Sequence, residues 1–383
     1  VSEPTGKHRR TLGRVEDAAL AASFLVAIWL PLAGMILSRD AAAGSAEKRN
    51  MAAVPPRPRG WRELADFPVG FGKYFKDNFG FRRELIGWHA SWKVKWLRVS
   101  TSPDVLIGKD GWLFYAGDGT LGSDNSLPPF TPGQLAHWRS VIEARRDWLK
   151  RRGIGYLFVI VPEKHTIYPE YMPPGAGGAG KQSRLDQLTA HLRENSDLEV
   201  VDLRPALRRA KTAHEVYLRT DTHWNGRGAF ASYQAIVGEL SKSFPAVEPM
   251  SAADCTVTTR PFSEGDLAFL MGLGNQYGEE APYVAPRVPA FRLEGDLSVI
   301  TARPVISERA GAGLPRLVMF RDSFATALIP LLSQHFSRAV YSTGYQHRFD
   351  PALVERERPD VVLQEMGERF LALDPPAEVL PNP

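Results

Sequence analysis

Gly155–Pro162 reads GYLFVIVP, an unbroken run of apolar, largely β-branched and aromatic residues. Such a run suits a strand covered on both faces, because no polar alternation is left to meet water. Covering both faces requires helices, and the flanking sequence supplies them. Helical spacing is expected over Pro132–Arg152, Lys181–Asn195 and Gly226–Lys242. Further strands are expected at Leu198–Leu203, Pro315–Phe320, Arg338–Ser342 and Pro359–Glu365, with helices over Phe324–Phe336 and from Pro351. This alternation predicts an α/β fold with a mostly parallel sheet flanked by helices. Residues 246–310 lose the rhythm and read as an irregular or small β insertion. Upstream, VLIGKDGWLFY (Val105–Tyr115) has the form of a hairpin turning at Lys109-Asp110-Gly111.

The N-terminal region follows other rules. Ala18–Leu37 contains no charged residue and is long enough to cross a bilayer as a helix, with Pro31 as a kink. Lys7, Arg9, Arg10 and Arg14 precede it, whereas the offsetting pair Arg39 and Asp40 follows, so residues 1–17 are expected in the cytoplasm and the rest outside. An uncleaved anchor competes with a cleaved signal peptide, for which AAAGSA at Ala41–Ala46 offers a site. Residues 38–60, rich in Ala, Pro and Arg, read as an extended linker lifting the domain 61–383 off the membrane. Between Trp61 and Leu97 aromatic residues recur at helical spacing, which suggests one or two amphipathic helices with that stripe in the core. PPGAGGAG (Pro173–Gly180) is a local low-complexity tract.

Composition removes several classes of function. The net charge is only +4, and the basic residues form no aromatic-interleaved stripe, so nucleic-acid binding is not expected. A single cysteine, Cys255, leaves no disulfide framework and no multi-cysteine zinc site. There is no glycine-rich phosphate loop and no helical histidine pair, and Ser323 is not bracketed by glycines as in a nucleophile elbow. A metal set of His214, Asp221 and His223 is the weaker alternative use of the histidines. No metal or other cofactor is expected.

Three stretches lie where strands should end, the edge at which open α/β sheets collect function. In RTDTHWNGRGAF (Arg219–Phe230), Asp221 and His223 stand two residues apart just before a helix that Asn225 can cap. In MFRDSFATALIP, Ser323 follows a strand at a helix start, where free backbone N–H groups can stabilise an oxyanion, an effect worth about 10²–10³ in rate per donor. Alone, each pattern also describes an ordinary capped loop. Together they contain what acyl transfer needs: a hydroxyl, a histidine to take its proton and a carboxylate to orient the histidine. In VPEKHTIYPEYMP (Val161–Pro173), Lys164, His165 and Tyr168 either line a polysaccharide groove or form a polar loop. Glu264–Leu267 and the pair Gln364-Glu365 are candidate supporting groups.

The stretches NFGFRRELI, VLIGKDGWLFY, VPEKHTIYPEYMP, DTHWNGRGAF, EGDLA, RDSFATALIP and PDVVLQEMGERFL occur in an order that resembles the bacterial alginate O-acetyltransferases of the AlgX/AlgJ type, with an SGNH-hydrolase-like domain. The resemblance runs from about Asn78 to Leu371. It implies Asp221 as orienter, His223 as base and Ser323 as nucleophile, with substrate contacts expected from Lys164, Tyr168, Trp224 and Arg321. Ordinary GDSL hydrolases place the serine early, and this group shares the reversed order seen here. Arg321 stands where those enzymes have glycine. The chain ends soon after the last strand without an evident carbohydrate-binding β-domain, which favours the anchored, single-domain form. The implied activity is acetyl transfer to an exopolysaccharide in the periplasm, from an inner-membrane anchor, with a membrane-embedded acyltransferase as donor. A carbohydrate acetylesterase and a noncatalytic polysaccharide-binding export component are the alternative readings.

Overall fold

A computed structural model describes residues 6–37, 52–117, 127–176, 182–297, 303–311, 313–343, 348–375 and 380–381. The chain divides into two compact units, one of Val1–Leu97 with Gly272–Gln276 and one of Arg98–Met271 with Tyr277–Pro383. The possible cleavage site at Ala41–Ala46, most of the expected linker and part of the tract Pro173–Gly180 lie outside the described residues.

The first unit begins with α1 (Gly6–Leu37), a helix of 32 residues with Pro31 inside it. Its segment Glu16–Met35 has a mean hydropathy of 2.0 and is long and apolar enough to cross a membrane. Two more helices follow, α2 (Trp61–Asp77) and α3 (Arg82–Trp92), and a π turn at Lys93–Leu97. Helical spacing predicted these elements correctly but misplaced their faces. No residue of α2 is buried, and Trp61 and Trp88 are 87% and 73% exposed, so the aromatic stripe is surface rather than core.

The second unit opens with the expected hairpin, β1 (Val105–Ile107) against β2 (Leu113–Tyr115). Its turn needs left-handed backbone at Asp110 and Gly111, with φ of 53° and 80°. Helix α4 (Pro132–Lys150) starts on a capping box between Thr131 and Gln134 and leads into β3 (Gly155–Val161). Helix α5 (Arg184–Asn195) begins later than its apolar spacing suggests, because Ser183 and Asp186 form the capping box that fixes its start. Strand β4 (Val200–Asp202) is followed by α6 (Arg204–Lys211), in which four of eight residues are basic and mask its helical character, and then by α7 (Gly226–Leu240).

The region expected to be an insertion is only partly one. Strands β5 (Cys255–Phe262) and β6 (Glu279–Pro286) form a separate antiparallel pair. Strands β7 (Arg292–Glu294) and β8 (Val305–Glu308) instead extend the main sheet. The series closes with β9 (Arg316–Arg321), β10 (Arg338–Thr343), α8 (Pro351–Glu357) and β11 (Val361–Gly367).

The seven-stranded sheet has the order β4-β3-β11-β9-β10-β8-β7. The run β4 to β10 is parallel, and β8 and β7 are antiparallel at one edge, so the sheet is mixed. All seven residues of β11 are buried, consistent with its central place. The continuous helix expected over Phe324–Phe336 is replaced by a 3-10 turn, Phe324–Ala327, and a one-turn helix, Ile329–Leu332. Pro330 has no N–H to bond backwards, so the first turn cannot propagate through it.

Candidate active site

Three neighbouring parallel strands, β3, β11 and β9, end together, and the segments leaving them carry the polar residues of the site. Glu163 and Lys164 follow β3, Glu368 and Arg369 follow β11, and Asp322 and Ser323 follow β9. Asp322 supplies the local cap, since its Oδ1 accepts from the Phe324 N–H and its Oδ2 from the Gly367 N–H. The Ser323 hydroxyl makes no capping bond and is left for another partner.

That partner arrives from the loop before α7. An isolated antiparallel bridge between Tyr217 and Trp224 closes this loop, and Asn225 Oδ1 accepts from the N–H groups of Arg227 and Gly228 to cap the helix. The Lys164 ammonium reaches into the loop and donates to the carbonyls of Leu218, Arg219 and Asp221 at 2.8, 3.1 and 2.6 Å. Within it, His223 Nδ1 lies 2.6 Å from Asp221 Oδ1, and His223 Nε2 lies 2.7 Å from Ser323 Oγ. The Asp221 carboxylate favours the tautomer in which Nδ1 donates to it and Nε2 can accept a hydrogen bond from the Ser323 hydroxyl.

Further groups hold this line of three. Asp221 Oδ1 also accepts from the His223 N–H, and Oδ2 from the Asp266 N–H. Asp266 accepts from the backbone N–H and the hydroxyl of Thr222, and its Oδ2 is 3.9 Å from His223 Nδ1. Arg369 is paired with Glu163 through two bonds, and its guanidinium lies 5.7 Å from the Phe324 ring centre. The His223 ring packs on the same Phe324 at 4.8 Å.

The electrostatics follow from burial and charge. Burial opposes ionisation of Asp221, but the His223 hydrogen bond and charge outweigh it and hold the carboxyl at about 2. Burial lowers the His223 value, while the Asp221 hydrogen bond and charge and the Asp266 charge reverse this, leaving it above the ordinary histidine value. Asp266 is raised, first by burial and then by repulsion from Asp221. Burial also raises Glu365 well above the carboxylate range, reinforced by the nearby Asp322.

The four residues expected to touch substrate behave differently. Lys164, Tyr168, Trp224 and Arg321 are each at most 3% exposed, so their side chains are turned inward. Lys164 is committed to the three carbonyls, and burial lowers its amine to about 8. Tyr168 accepts from the Val216 N–H and packs at a tilt against Trp112, 4.2 Å between ring centres. Trp224 meets Phe324 edge-on, and Arg321 donates to the Asp322 carbonyl and the Thr326 hydroxyl. His165, from the same stretch as Lys164, remains half-buried.

Asp266, Glu163 and Arg369 are the polar residues of the site that sequence reading left in the background. Their position directly after apolar strands, or inside the short EGDL stretch, is the signal that marks them. A metal grouping exists on paper, because donor atoms of Asp221, His223 and Asp266 lie within 4.8 Å of one another. His214 is not in it. The oxygens and nitrogens concerned are already bonded to one another, to Thr222 and to Ser323, which is the pattern of a hydrogen-bond network.

Comparison with known proteins gives a consistent assignment. A family model described as the SGNH hydrolase-like domain of the acetyltransferase AlgX matches residues 105–297. The chain is 31% identical over 182 residues to the probable alginate O-acetylase AlgJ of Pseudomonas aeruginosa, covering 47% of this chain and 44% of that protein. It is 26% identical over 293 residues to the corresponding protein of Pseudomonas syringae pv. tomato, covering 76% and 66%. The chain thus spans less than two thirds of the length of these curated relatives. Among solved structures, Bacillus cereus PatB1 aligns with a TM-score of 0.54 at 18% identity, over 70% of this chain and 97% of that one, a likeness of fold.

Proposed function

The chain belongs to the SGNH hydrolase-like family of AlgX/AlgJ-type acetyltransferases, and from this premise we propose that it transfers acetyl groups to hydroxyls of an exopolysaccharide through Ser323. The observation that carries the proposal is the unbroken line from Asp221 through His223 to Ser323, with hydrogen bonds of 2.6 and 2.7 Å. His223 Nε2 takes the Ser323 proton as Oγ attacks the acetyl carbonyl of the donor. The donor's leaving group departs with that proton, and an acetyl-serine ester remains. A sugar hydroxyl then gives its proton to the same nitrogen, attacks the ester and releases Ser323, which regains the proton. Asp221 stays ionised throughout and steadies the imidazolium between the two half-reactions.

In this reading α1 is a single-pass inner-membrane anchor and the domain carrying the site works in the periplasm. Acetyl groups reach it from a membrane-embedded acyltransferase, and alginate or a similar polymer is the acceptor. Purified Ser323→Ala tests the chemistry with an activated acetyl ester and oligosaccharide. The wild type is expected to gain 42 mass units, about one acetyl group, as an intermediate, and the variant to lose this adduct and about 10⁴-fold or more of the rate. Transfer by the variant at the wild-type rate would refute the assignment. Free acetate in place of acetylated sugar from the wild type would identify an esterase.

A further inference from the structure

Helices α2 and α3 present aromatic residues that the described residues of their own unit leave half-buried or exposed. On α2, Leu64, Phe67, Phe71 and Phe75 recur at spacings of three and four and share one face, while Arg62, Asp66, Lys73 and Lys76 lie on the other. Phe71 stacks near both Phe67 and Phe75, at 5.9 and 6.3 Å between ring centres, so the stripe is continuous. On α3 and the π turn, Leu85, Trp88, Trp92 and Trp96 are 45%, 73%, 56% and 78% exposed. The opposite side of α3 is occupied: Gly87 and Ala90 are buried there, and Ser91 donates to Gln276.

The position of this surface relative to α1 identifies what it meets. A Cβ on Gly80, in the turn between α2 and α3, would collide with the Pro31 carbonyl and come within 2.7 Å of the Met35 nitrogen. One on Gly34 would come within 2.7 Å of the Phe81 ring. The α2–α3 turn is therefore pressed against the last turns of the segment Glu16–Met35, where that segment would leave a bilayer. Tryptophan and phenylalanine at this level match the amphipathic region between acyl chains and headgroups. Residues 61–97 also hold seven Lys or Arg against four Asp or Glu, an excess that suits anionic headgroups. A protein partner would require no such continuity with α1.

We propose that the aromatic face of α2, α3 and the following π turn is seated in the headgroup layer of an anionic bilayer, on the side where α1 emerges. This rests on reading α1 as a membrane span, and the test separates the two. The full-length chain, with Cys255→Ala as background, carries a polarity-sensitive fluorophore at Trp88→Cys or at Val26→Cys. It is reconstituted into phosphatidylcholine vesicles with or without phosphatidylglycerol, using lipids brominated near the headgroup or at mid-chain.

The Val26 probe should be quenched by mid-chain bromine in both lipids. The Trp88 probe should be blue-shifted and quenched by shallow bromine with phosphatidylglycerol present, and should lose most of that quenching without it. The combined Lys73→Glu, Lys76→Glu and Lys95→Glu changes should cause the same loss while leaving the Val26 signal intact. A quenched Val26 probe beside a water-exposed, unquenched Trp88 probe overturns the docking and leaves the anchor. A Trp88 probe shielded from water but not quenched by lipid means that protein covers the face, and also overturns it. An unquenched Val26 probe removes the anchor and the docking with it.

Discussion

His223 is the residue on which the proposed chemistry turns, and its surroundings set a pH dependence. As a base it must be neutral, yet the Asp221 and Asp266 carboxylates favour its charged form and raise its value above that of a free imidazole. The acid limb of kcat/KM should therefore lie above the ordinary histidine value of about 6.5, as a pH–rate profile would show. The linkage has the opposite sense: the charged form's stabilisation is fully present below the unfolded value and is lost as pH rises through the folded one. Under the proposed mechanism, activity is thus expected to be greatest where this contribution to stability is smallest. Asp266→Asn removes a carboxylate 3.9 Å from Nδ1 without touching the Asp221 bond. The limb should move to lower pH with the plateau rate changed far less, as a pH–rate profile would record. An unmoved limb would show that Asp266 exerts no field on the base. The convergence of Asp221, His223 and Ser323 could be anticipated from the sequence, because each sits beside a recognisable element boundary at the same edge of the sheet. The roles of Lys164 and Tyr168 could not, because the polar appearance of VPEKHTIYPEYMP does not reveal that their side chains turn inward.

At the scale of elements, the site depends on the join between the histidine loop and α7. Gly228 lies in the first turn of that helix, where a Cβ would collide with the Val216 carbonyl and approach Trp224 Cβ to 2.9 Å. Val216 also accepts from the Asn225 N–H, and Trp224 is half of the bridge that closes the loop. Gly228→Ala should therefore cost about 1–3 kcal/mol through overpacking and lower turnover by shifting His223 from Ser323. Gly238→Ala is the control on the same helix: nothing lies within 4 Å of its added methyl, and it should gain roughly 0.5–1 kcal/mol. Thermal melts with parallel assays of acetyl transfer distinguish the two, and equal effects would remove the steric argument. The parallel strands were legible from their apolar runs, and α7 from its spacing and its Asn225 cap. Helix α6 was obscured by its basic residues, and β7 and β8 by their brevity, because edge pairing is set by partners far away in sequence.

At the scale of the whole molecule, sequence periodicity established that α2 and α3 are amphipathic but not which medium their apolar faces meet. A helix packed in a core and one resting on a bilayer show the same spacing, and only the burial of each side distinguishes them. Among the described residues much of the stripe is exposed, which has a consequence for a shortened chain. A variant beginning at residue 52 lacks α1 but retains every residue of the candidate active site, all of which lie beyond Arg98. It should still move acetyl from a soluble ester to oligosaccharide, within a factor of a few of the full-length rate. In water its aromatic face has neither lipid nor core to cover it, so the variant should self-associate as its concentration rises. Mild detergent, or Trp61→Ser, Trp88→Ser and Trp92→Ser together, should return it to a monomer in sedimentation velocity. Monomeric behaviour at high concentration without either remedy would show that the exposed stripe is too weakly apolar to seek a partner, and would count against its seating in a bilayer as well.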